Sequence, residues 1–313
     1  MRKILLTLIL LLSLSLSPFL STAQSTFCKQ IANYTMEVKL DTETQMINAS
    51  EILSWTNDTK FPANELMFHL YWNAFQNNMS TYLTETARRG RRVSDFKKED
   101  WGHCRVESIK IVKNPYFNDY DLMPFMEFQS PDDENLFDQT VFSVSLPRAV
   151  APGQTILLRI EFESKVPRPI SRTGVYKDYY FIAQWFPKIG VFENGRWNCH
   201  QYHSSSEYYA DYGTYDVKIT LPSSFIVGGT GEHQQIIDNR DGTTTHHFHQ
   251  HSVHDFAWTA SPRFLEYKEN FEFTPGKTTE ITLLLQPQHR KLKDRYMNAF
   301  KNAIKYCSLF YGD

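Results

Sequence analysis

The sequence predicts a mainly β protein: a large antiparallel saddle or sandwich-like β domain followed by one C-terminal amphipathic helix. Three observations predict it. Apolar and polar residues alternate with period two in many short segments, and aromatics make up 15% of the 313 residues, a bias toward strands. Turn signals separate those segments at Ala151-Pro152-Gly153, Asn194-Gly195, Asp241-Gly242 and Pro275-Gly276. After Pro287 the apolar period changes to that of a helix.

Met1-Arg2-Lys3, the apolar stretch Ile4 to Leu16 and the small residues Ser21-Thr22-Ala23 have the layout of a secretory signal peptide, residues 1–23. The stretch is short of the ~20 apolar residues that span a bilayer, Pro18 interrupts it, and no later run is long enough to span. The remaining chain is therefore expected in a secreted or periplasmic, extracytoplasmic space. Its four cysteines, Cys28, Cys104, Cys199 and Cys307, allow three full pairings, and none sits in a CxxC.

Tyr34, Met36, Val38 and Leu40 share one face of a first strand, and further strands are expected over 46–56, 64–71 and 105–112. A short helix fits 76–88. Phe142, Val144 and Leu146 alternate up to Pro147; Ile156, Leu158, Ile160 and Phe162 alternate with Arg159, Glu161 and Glu163. Val217, Ile219 and Leu221 repeat the pattern and stop at Pro222. Strands are also expected over 178–186, 224–229, 244–251, 264–273 and 279–286. Residues 24–286 thus read as one β domain. Over 288–311, Leu292, Tyr296, Phe300, Ala303, Ile304, Cys307 and Phe310 recur at helical spacing, with lysines opposite.

The formal net charge of −2 offers no strong field, so a nucleic-acid partner held by a basic face is excluded. The run Arg88-Arg89-Gly90-Arg91-Arg92 reads as a solvated loop. His246, His247, His249, His251 and His254 cluster on one predicted strand, where 247, 249 and 251 share a face. Such a face could hold zinc or copper, but a plain exposed strand is the expected state. No His is followed by Glu, so the His-Glu-x-x-His zinc motif is absent, as are GxSxG, Walker and GxGxxG patterns. Ser204-Ser205-Ser206-Glu207 lies near His200 and His203, yet sequence neighbours do not make a triad. Asp132-Asp133-Glu134 reads as a solvated turn, with a calcium group as the alternative. The densest chemistry is over 183–221, an aromatic loop between strands suited to a pocket wall or to an inter-sheet core.

Several segments together resemble a known family. They are Glu51 to Asn57, the stretch Leu66-Met67-Phe68-His69-Leu70-Tyr71-Trp72-Asn73-Ala74-Phe75, Gln184-Trp185-Phe186-Pro187-Lys188, residues 207–222, and Val253 to Pro262. This combination is similar to the N-terminal β domain of the zinc aminopeptidases, the gluzincin family that includes membrane alanyl aminopeptidase and the leukotriene hydrolase, and most to its secreted bacterial members. The resemblance implies that 287–313 is the first helix of a catalytic domain lying beyond this chain. It implies zinc and a peptide substrate for the whole protein, with no zinc ligand, no bound cofactor and no activity in this portion. It also implies a substrate-binding role for Gln184, Trp185 and Phe186 at the wall of the cleft. Phe186 stands where many relatives carry a carboxylate or amide. A stand-alone secreted β-sandwich that binds peptides or glycans, and a structural surface protein without a ligand, are the alternative readings.

Overall fold

A computed structural model describes residues 28–90, 96–113 and 116–312. The predicted signal peptide and Arg91-Arg92 lie outside the described residues. The strands run, in chain order, β1 (Ala32–Asp41), β2 (Met46–Thr56), β3 (Ala63–His69), β4 (His103–Lys113), β5 (Asn118–Asp121), β6 (Met126–Gln129), β7 (Val141–Val150), β8 (Thr155–Lys165), β9 (Gly174–Tyr176) and β10 (Tyr179–Ile182). They continue as β11 (Lys188–Ile189), β12 (Val191–Glu193), β13 (Arg196–Asn198), β14 (Gly213–Pro222), β15 (Ile226–Gly229), β16 (Glu232–Asp238), β17 (Thr243–Val253), β18 (Trp258–Ser261), β19 (Leu265–Thr274) and β20 (Lys277–Leu285). The α-helices are α1 (Thr81–Arg88) and α2 (Lys293–Tyr311).

The mainly β class and the closing helix are thus as the sequence predicts. An eight-stranded sheet in the order β16-β17-β14-β1-β2-β8-β4-β5 forms the floor, and two four-stranded sheets, β15-β18-β10-β9 and β11-β3-β7-β6, accompany it. Alternation decides which face is buried: Tyr34, Met36, Val38 and Leu40 of β1, and Ile156, Leu158, Ile160 and Phe162 of β8, all enter one continuous core. Four fully buried tryptophans, Trp55, Trp72, Trp185 and Trp258, are its largest members.

Three details differ from the sequence reading. One pair is parallel: Tyr34 to Lys39 of β1 align with Tyr215 to Thr220 of β14. These strands are far apart in the chain, so no hairpin constrains their direction. Pro147 does not end its strand; β7 runs on to Val150 across an irregularity in its pairing with β3, where a missing N–H costs no ladder bond. β16 escaped the alternation test because all its residues are exposed on the sheet edge.

The expected helix over 76–88 shortens to α1, preceded by a 3₁₀ turn at Tyr71–Phe75. Ser80 caps α1, its side chain accepting from the Leu83 N–H. The C-terminal helix begins as a 3₁₀ turn at Pro287–Leu292 and continues as α2. Met297 and Ile304 pack on Ile281, Leu283 and Leu285 of β20, making a small second core. Lys293 and Lys301 pair with Glu269 of β19. Most of the predicted apolar stripe faces outward: Tyr296, Phe300 and Phe310 are exposed. All four cysteines are free thiols, so none of the three possible pairings is made.

Candidate functional site

Gln184, Trp185 and Phe186 leave β10 and turn into the core. Trp185 is fully buried and its indole N–H donates to the Phe256 carbonyl at 3.1 Å. Phe186 packs edge-on against Tyr34, with ring centres 5.4 Å apart. Both are therefore core side chains, and Gln184 beside them is largely buried too, at 8% exposure. Gln184 has φ of +58°, a left-handed conformation that a long side chain adopts only when its neighbours force it. The neighbours do so. The Trp72 indole donates to the Ala183 carbonyl at 2.9 Å, and the Ser164 hydroxyl donates to the Trp185 carbonyl at 2.9 Å.

The aromatic loop closes over the same side of the sheets. Tyr71 meets Tyr202 and Tyr208 edge to face, and Tyr202 and Tyr208 are tilted against each other, with centroid separations of 4.7 to 5.9 Å. They line a cavity of about 140 Å³ together with His69, His200, His203 and Tyr209. A second hollow of about 410 Å³ lies on the other side of Tyr202 and His203, edged by Tyr82, Ser171 and Arg172. Arg172 grips Glu207 with two hydrogen bonds of 2.7 and 3.0 Å, a bidentate pair on the exposed rim.

His203 is the hinge of this loop. Its Nδ1 lies 2.9 Å from Glu85 of α1, and its Nε2 lies 3.1 Å from Asp132. Burial works against its charge, but the hydrogen bonds to Glu85 and Asp132 outweigh it and hold its pKa above the ordinary value. Asp132 also meets His200 Nδ1 at 2.6 Å and accepts from the Gln201 N–H at 2.7 Å. Burial tends to raise its pKa, but these bonds prevail and lower it. Asp133 accepts from Thr81 and Gln201. Residues 132–134 are exposed, on a turn, as expected, and the first two carboxylates are in addition hydrogen-bonded to the loop. Both ring nitrogens of His203 face carboxylates, and the buried Ser204 hydroxyl has no hydrogen-bond partner, so these two form no Ser–His dyad.

Beneath the loop the polar groups are held neutral or paired. His69 is buried, and burial, with Lys188 second, lowers its pKa to about 3. Its Nε2 lies 3.5 Å from the Cys199 thiol, which burial pushes upward in pKa. Neither ring nor thiol is activated, so this pair is packing and not a catalytic dyad. Lys188 is buried with Nζ 3.2 Å from Asp255; desolvation lowers its pKa and Asp255 offsets part of that. Sequence reasoning missed the Lys188–Asp255 pair and the Glu85–His203–Asp132 clamp. Each joins segments far apart in the chain, and no local pattern reports such contacts.

On β17, His247, His249 and His251 do share a face, and His246 turns to the other side against His233. Among the described residues, no group of three or more His, Cys, Asp or Glu side chains is placed to hold a metal ion. No helix there is long and apolar enough to cross a membrane.

No protein-family model matches the sequence, and no curated protein is similar to it. Solved structures are similar in fold. A mutant of the M1 zinc metallopeptidase from Deinococcus radiodurans superimposes with a TM-score of 0.52 and 13% identity, over 82% of this chain and 48% of that one. A mutant of the M1 zinc metallopeptidase from the same organism, bound to a Tyr-Ser-Ala substrate, gives 0.53 and 12% identity over 91% and 54%. A two-domain M1 zinc metallopeptidase mutant bound to L-arginine gives 0.51 and 13% identity over 90% and 54%. The chain thus spans about half the length of these structures, and at such identity the likeness is one of fold.

Proposed function

We propose that this chain is the N-terminal, non-catalytic β portion of a secreted zinc metallopeptidase of aminopeptidase type, and that it forms one wall of the peptide cleft. The observation that carries the reading is the match of nearly all its β architecture to about half of a metallopeptidase. A catalytic zinc needs about three protein ligands around an open position. Among the described residues no such group occurs; in this reading the ligands and the base that activates water lie on a further domain. Within this chain the wall is the loop clamped by His203, and Gln184 is the group presented to substrate. Its strained backbone supports that role, and so does its amide, which makes no hydrogen bond to another described residue.

The adjoining coding sequence provides the test. Expressed together with an in-frame His-Glu-x-x-His segment, the protein is expected to release N-terminal residues from peptides in a zinc-dependent way, while the 313-residue chain alone does not. Turnover with stoichiometric zinc by this chain alone would overturn the reading. In the joined protein, Gln184→Ala is expected to raise KM with the melting temperature unchanged; unaltered kinetics would remove Gln184 from the cleft.

A further inference from the structure

We propose that His249 and His251 form a surface site for a divalent transition-metal ion, with Cu²⁺ and Ni²⁺ the best fits, independent of any catalytic zinc. The Asp216 carboxylate accepts only, so the His249 Nδ1 lying 3.1 Å from it must carry the hydrogen. His249 Nε2 is then left bare in the neutral ring.

The same accounting settles His251. The Ser252 backbone N–H donates to Gln30 Oε1 at 3.2 Å, which fixes the orientation of that amide. The Thr214 hydroxyl also donates to Gln30 Oε1, at 3.2 Å. Thr214 Oγ1 must therefore accept from His251 Nδ1, 2.9 Å away, and His251 Nε2 is bare as well. The two bare nitrogens stand 3.0 Å apart. Two lone pairs at that distance repel unless a proton or a metal ion lies between them.

The distance selects the cation. With metal–nitrogen bonds of ~2.0–2.1 Å, nitrogens 3.0 Å apart subtend roughly 90–97° at the ion. That is a cis pair of a tetragonal or octahedral ion, narrower than a tetrahedral angle. The outer partners are already in place, since Asp216 and Thr214 hold each ring through its other nitrogen, as metal-binding histidines require. His249 is about 30% exposed, so the ion can enter from solvent, and water completes its coordination. A bound ion would also tie β17 to β14 and to the segment before β1, through Asp216, Thr214 and Gln30.

Titrating the full chain with Cu²⁺ and with Ni²⁺, followed by calorimetry and by the Cu²⁺ spin-resonance spectrum, tests this. One equivalent with a two-nitrogen signature and a metal-dependent rise in melting temperature are expected. His249→Ala and His251→Ala should each remove the signature, and Asp216→Asn should weaken binding ~10–100-fold. His254→Ala should leave it intact. Two outcomes overturn the site: binding that survives both histidine substitutions, or a pair that merely shares one proton and shows no metal signature. The metal-free melting temperatures of the variants separate a lost ligand from a lost fold.

Discussion

The main β core and the β19–β20–α2 unit are built from similar residues, yet they bury them to opposite degrees. In the main core Trp55, Trp72, Trp185 and Trp258 are closed off on every side. On α2, Phe300, Leu309 and Phe310 stand at 46%, 69% and 71% exposure, and Met297 is the one described α2 residue fully buried. An apolar residue stabilises a fold only in proportion to the area it hides. A helical stripe states that a partner surface is expected, and only packing states whether this chain supplies it. The hairpin supplies a narrow strip of that surface through Ile281, Leu283 and Leu285.

The largest effect should follow from emptying the main core. Trp185→Ala removes an indole touching Phe162, Phe186 and Trp258, together with its hydrogen bond to Phe256. A loss of ~3–5 kcal/mol is expected, a large share of the ~5–15 kcal/mol of a typical fold, read as a clearly lower denaturation midpoint. Phe300→Ser, by contrast, should leave the melting temperature nearly unchanged. An equal loss from both would dissolve the contrast between the two regions.

Met297→Ala comes next. A cost of ~2–4 kcal/mol should fall on the hairpin–helix unit alone. Hydrogen exchange should then quicken for β19, β20 and α2 while amides of β1, β2 and β8 keep their protection. Uniform loss of protection would show that the two cores unfold as one.

A smaller effect concerns Glu51, fully buried on β2 with neither carboxylate oxygen hydrogen-bonded. Desolvation raises its pKa well above the ordinary carboxylate value. The folded state therefore binds a proton that the unfolded chain gives up. The associated stability is fully present below the ordinary carboxylate pKa and is lost as pH rises toward the folded value. Glu51→Met should flatten that decline and raise stability by ~1–3 kcal/mol at neutral pH. A destabilised variant would point to an unseen partner for Glu51.

The smallest effect should come from the His203 clamp. Its raised pKa stabilises the fold below the ordinary histidine value, and that contribution disappears as pH rises through the folded pKa. Asp132 and Glu85 act the other way: both are lowered, so their contribution is present above the carboxylate range and is lost in acid. His203→Ala should therefore cost more at pH 6 than at pH 9. Solvent screening keeps the difference to ~1 kcal/mol or less. A pH-independent loss would assign His203 to packing.

Much of the frame was legible in the residues themselves. Alternation in β1 and β8, the turn glycines and the period change after Pro287 mark strands, ends and helix, because each reports a local choice of face. The candidate site was legible only as an aromatic segment. That Trp185 and Phe186 enter the core beside a left-handed Gln184 depends on Trp72 and Ser164, which lie outside that segment.

The sequence by itself determined which residues could be buried together on one face, and it lacks the His-Glu-x-x-His, GxSxG, Walker and GxGxxG patterns. Tertiary structure alone decided the parallel partner of β1, the commitment of Asp132 and Asp133 to the loop, and the meeting of His249 with His251. The reason is physical. Periodicity encodes the face a side chain takes, whereas partners are chosen by surfaces that approach one another only after the chain has folded.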